Sequence, residues 1–159
     1  MISRLRPLDL AISFRERRYR LGEPIDLRVE LTPRRDCEVR MGRMDLMVEE
    51  QWTEHSTVSY EKPVVQTGLR GQVRVMGSTT ETRELVREHK EKYAHSSAAF
   101  LEAARLDAGK SARYRITLQI QPEAPARAKE ARGRWWLQTV IDVAGARDVR
   151  ARTKVAIVV

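Results

Sequence analysis

Alternation of apolar and polar residues is the feature that most constrains this chain. Leu8, Leu10, Ile12 and Phe14 occupy every second position of 8–14, and Ile25, Leu27, Val29 and Leu31 do the same over 25–31. In the later half, Tyr114, Ile116, Leu118 and Ile120 alternate through 114–120. Side chains that repeat every two residues share one face of a strand, so each run describes a strand with one wet and one buried side. Strands of that kind pack as an antiparallel sandwich.

The rest of the chain extends the pattern. Val39 and Met41 begin a third strand, Gly42 breaks the phase, and Met44, Leu46 and Val48 resume on even numbers, which is where a β-bulge is expected. Trp52, Val58 and Tyr60 continue extended structure to Pro63. Gly68, Gly71 and Gly77 around Val73 and Val75 describe a loop with a short strand over 63–79. Residues 80–108 carry conflicting signals. Glu84/Glu88, Arg87/Glu91 and Glu88/Lys92 have helical spacing, yet 80–95 has almost no apolar stripe with which a helix could dock. Extended structure with at most one short helix is the expectation there. Asp107-Ala108-Gly109-Lys110 makes a turn, and Pro122 and Pro125 open a linker over 122–132. Trp135, Leu137, Thr139, Ile141 and Val143 then line one face of a long strand, and Val155, Ile157 and Val159 belong to the last. Seven or more strands at this spacing predict an all-β, immunoglobulin-like sandwich, with 1–159 as a single domain.

With 159 residues, such a domain buries roughly 70% of its unfolded surface. No stretch approaches the roughly 20 apolar residues of a membrane helix, and Met1–Pro7 lacks the apolar core of a signal peptide. One cysteine, Cys37, excludes an internal disulfide and suits a reducing compartment, so the cytoplasm is the expected location. The net charge is +8, of which 1–43 contribute +4, 44–123 contribute −1 and 124–159 contribute +5.

Four stretches resemble the arrestin-like β-sandwich family, which includes bacterial sporulation-control proteins and retromer cargo adaptors. They are Tyr19–Ile25 with its Gly22-Glu23 turn, Leu106–Lys110, Ile116–Pro125 with its two spaced prolines, and Trp135–Val143. The resemblance implies an arrestin N-terminal-like fold and a non-enzymatic adaptor or scaffold that works by binding another protein. Full arrestins hold two such sandwiches, and this chain has room for one.

Chemistry-bearing constellations are sparse. His55, His89, His95 and Cys37 lack a ligand spacing, and no catalytic residue, metal or cofactor is expected. Arginines near Cys37 could lower its thiol pKa. The most suggestive surface feature is a basic hairpin of Arg15, Arg17, Arg18 and Arg20 around Tyr19, whose guanidiniums suit carboxylate or phosphate groups. An acidic protein segment is its first expected target, then an anionic membrane surface met peripherally, then nucleic acid. A basic domain binding nucleic acid or anionic membrane is accordingly the alternative function. An exposed strand edge offers a second route to a protein partner, or to a homodimer.

Overall fold

In the computed structural model, residues 6–129 and 131–159 form ten strands and no helix. In chain order these are β1 (Leu8–Phe14), β2 (Arg18–Arg20), β3 (Pro24–Pro33), β4 (Cys37–Thr67), β5 (Val73–Leu101), β6 (Ala104–Leu106), β7 (Ala112–Gln119), β8 (Arg132–Val143), β9 (Val149–Lys154) and β10 (Ala156–Val158). The chain divides into a larger unit, running to Glu50 and resuming at Glu91, and a smaller unit, Gln51–Lys90.

The larger unit is an antiparallel sandwich. One layer has the order β1-β3-β7, with Ile12 opposite Val29 and Val29 opposite Tyr114. The other has the order β5-β4-β8-β9, with β6 pairing on the first residues of β4. Leu8, Ile25, Leu27, Val29, Leu31, Ile116 and Leu118 from the first layer form one apolar cluster with Val39, Met44, Leu46, Val48, Leu137 and Ile141 from the second. The alternation therefore drives the fold as expected, because each inward row has an opposite row to bury against.

The phase slip in β4 lies where the sequence places it. Val39 is buried, Arg40 and Met41 are exposed, and burial resumes on Gly42, Met44, Leu46 and Val48. Gly42 is needed there for space, not for an unusual backbone, since its φ is not positive. A Cβ at that position would lie 2.8 Å from the Phe100 ring and 3.2 Å from Ile141 Cδ1.

Residues 80–101 are extended throughout, as expected, because helical ion-pair spacing cannot compensate for the missing apolar stripe. Two other expectations need correction. The 63–79 region is not mainly loop: β4 runs to Thr67, β5 begins at Val73, and Gly68 N donates to Gln72 O at 2.8 Å across a tight turn. Finally, Arg18–Arg20 is not part of a hairpin. It is a short strand paired in parallel with β10, with Tyr19 opposite Ile157. Tyr19 is 2% exposed, so its burial in the core fixes this segment as a strand.

Candidate interaction surfaces

The basic segment is only partly assembled. Arg17 lies over the Tyr19 ring, 4.1 Å from its centroid, and donates to Glu23 Oε2 at 2.9 Å and to the Arg18 carbonyl at 3.2 Å. The same Glu23 oxygen accepts from Arg20 N, and that backbone bond, then Arg17, holds the Glu23 carboxyl below its ordinary range. Tyr19 donates its hydroxyl to Arg15 O at 2.6 Å. Arg17 therefore braces the turn. Arg15, Arg18 and Arg20 are exposed, with Arg18 and Arg20 on the strand face opposite Tyr19.

A second basic surface was invisible in the sequence because it depends on register. On the outer face of the three-stranded layer, Glu30 sits opposite Arg113, which it meets at 3.2 Å, and Asp26 opposite Thr117, which donates to it at 2.9 Å. Between these matched rows, Arg28 sits directly opposite Arg115. Like charges so placed repel. Ala11 and Ser13 on β1 are small, which leaves a groove of about 590 Å³ along these rows.

The smaller unit is a two-stranded ribbon made from the later part of β4 and the earlier part of β5. None of its residues is buried. One face carries ring contacts: Trp52 stacks on His89 at 5.2 Å, and Arg83 lies 5.2 Å from the Tyr60 centroid. His89 Nε2 is 2.5 Å from Glu54 and His55 Nδ1 is 3.0 Å from Glu84, so both imidazoles serve cross-strand pairs. Tyr60 donates its hydroxyl to Glu81. β5 is the terminal strand of its sheet.

Several titratable groups of the larger unit have defined surroundings. His95 contacts the Gln121 carbonyl at 3.3 Å and the edge of Trp135. Among the described residues, no three His, Cys, Asp or Glu side chains are grouped to hold a metal. Burial pushes the Cys37 thiol up despite the nearby Arg35 guanidinium, so desolvation outweighs the arginine attraction expected from sequence. Among the described residues the most strongly shifted group is Tyr93, whose phenol is pushed up to about 12 by burial and then by Glu50. Its hydroxyl donates to the buried Glu50 at 2.5 Å, and the second Glu50 oxygen accepts from Arg127 N at 3.1 Å.

No protein-family model and no curated protein sequence matches the chain. Among solved structures it is similar to the sporulation control protein Spo0M of Bacillus subtilis, with a TM-score of 0.65 at 11% identity. The match covers 96% of this chain and 50% of that one, so the chain spans about half the length of its structural neighbour. At that identity the likeness shows the fold, and the fold is an arrestin-like β-sandwich.

Proposed function

We propose that the chain is a non-enzymatic adaptor or scaffold module, working in the cytoplasm, that binds a protein by strand addition. The observation that carries this reading is the outer edge of β5. It is a strand of 29 residues at the end of its sheet, with side chains that are almost all solvent-facing. The outward N–H and C=O groups of such an edge supply a partner strand with a ready hydrogen-bond ladder, and alternate side chains supply selectivity. Glu81, Arg83, Glu84, Arg87, Glu88, Lys90 and Glu91 interleave both signs along it. That charge pattern discourages indiscriminate pairing and favours a strand of complementary sequence.

Proline scanning tests this. In an antiparallel pair, neighbouring residues point their N–H groups alternately into the ladder and away from it. Of Glu84→Pro and Leu85→Pro, one removes an outward donor while sparing the hairpin's own bonds. The variant that keeps the wild-type circular dichroism is expected to lose capture of the partner from native lysate, at low and high salt alike. Capture that survives in that variant, or that falls steeply with salt in the wild type, refutes strand addition.

A further inference from the structure

The distal end of the 51–90 ribbon combines two properties, a concentration of exposed apolar side chains and a basic charge free of acid. Val64, Val65, Leu69, Val73, Val75 and Met76 are half of the twelve large apolar side chains exposed in the structure, and they fall within 64–76. Between Glu61 and Glu81 there is no carboxylate, while Lys62, Arg70 and Arg74 are all basic.

Geometry narrows the possible occupant. Leu69 stands at the summit of the turn, with accessibility as great as that of an isolated residue (110%). Gly71 at φ +72° and the Gly71 N to Gly68 O bond at 3.1 Å hold that turn closed. Val64 and Val65 are neighbours on one strand, and Val75 and Met76 on the other, so apolar side chains project from both faces. A protein docked on one face would cover half of them. A medium that surrounds the tip covers them all. The basic charge without compensating acid selects a negatively charged medium.

We propose that this tip docks on an anionic lipid bilayer. Leu69 and the flanking valines enter the headgroup boundary, while Arg70 and Arg74 lay their stems along the apolar layer and their guanidiniums against lipid phosphates. Penetration stops at the interface, because a ribbon with open edges leaves backbone groups unsatisfied in hydrocarbon. This docking is independent of strand addition on β5.

The test is co-sedimentation of the whole chain with phosphatidylcholine vesicles, with and without phosphatidylserine. Binding is expected only when phosphatidylserine is present. Replacing both Arg70 and Arg74 by serine should weaken it about 25-fold, at about fivefold per basic residue near such a surface. Leu69→Ser should weaken it roughly tenfold. Leu69→Trp should bind and shift its emission to the blue, which reports tip insertion without relying on a loss. Replacing Arg15, Arg18 and Arg20 by serine should leave binding within twofold of wild type. Absence of binding to phosphatidylserine vesicles, equal binding to neutral ones, unchanged emission from Leu69→Trp, or loss confined to the Arg15/Arg18/Arg20 variant each overturns the proposal.

Discussion

Tyr93→Phe should destabilise the fold by about 2 kcal/mol, and the loss should depend on pH in a way that identifies its cause. Glu50 is 2% exposed, and its carboxylate is held by two donors, the Tyr93 hydroxyl at 2.5 Å and Arg127 N at 3.1 Å. Removing the hydroxyl deletes a hydrogen bond to a charged acceptor, a contribution of about 1.5–3 kcal/mol. In a chain of this size, about 2 kcal/mol lowers the Tm by roughly 4–8 °C. Burial first, then Glu50, pushes the Tyr93 phenol up to about 12. An unfolded tyrosine ionises near pH 10, so the folded state prefers the neutral phenol. That preference contributes in full below about pH 10 and is lost as the pH rises through 12. Two units correspond to at most about 2.7 kcal/mol, and partial solvent access reduces this to roughly 1–2. Urea denaturation of both proteins from neutral pH to about pH 11 checks the argument. The wild-type advantage should be constant up to about pH 9–10 and then narrow. A variant within about 0.5 kcal/mol of wild type at neutral pH, or two curves that stay parallel into the alkaline range, would refute it.

Gly42→Ala should cost about 1–3 kcal/mol in thermal or urea unfolding, because its Cβ overpacks against the Phe100 ring at 2.8 Å. An unchanged midpoint would mean that the ring moves aside freely. Arg28→Glu should stabilise by about 0.2–1 kcal/mol, since it turns the Arg28–Arg115 opposition into an ion pair. Adding phosphate should raise the wild-type Tm and not that of the variant; equal responses would show that the groove attracts no anion. Cys37 alkylation at pH 8 should be slower than that of a free thiol, because burial raises its pKa. Reaction as fast as glutathione would refute that assignment.

The two-layer sandwich was legible because hydrophobic alternation reports directly on which residues face inward. Leu8–Phe14, Ile25–Leu31 and Tyr114–Leu118 each lie on a strand with its apolar row inward. The phase slip at Gly42 was legible for the same reason, although its cause, the approach of Phe100 from a distant segment, was not. The ribbon was obscured because both of its faces meet solvent. Without a buried row there is no period-two signal, and local ion-pair spacing over 84–92 imitates a helix. The Arg28–Arg115 opposition depends on registering residues 87 positions apart (115 − 28), which no local pattern encodes. Of the four arginines singled out by clustering, Arg17 proved to be a brace for Tyr19, because aromatic burial and Glu23 claim its guanidinium.

The parallel pairing of Arg18–Arg20 with Ala156–Val158 has a kinetic consequence. A ribosome exposes the first of these segments long before it has made the second, so Tyr19 must wait, uncovered, for nearly the whole chain to emerge. Closure of so distant a contact is slow, and the half-made sandwich meanwhile presents apolar rows to its surroundings. Removing the codons for Ala156–Val158 would leave that waiting state permanent, and aggregation during expression would be its visible sign.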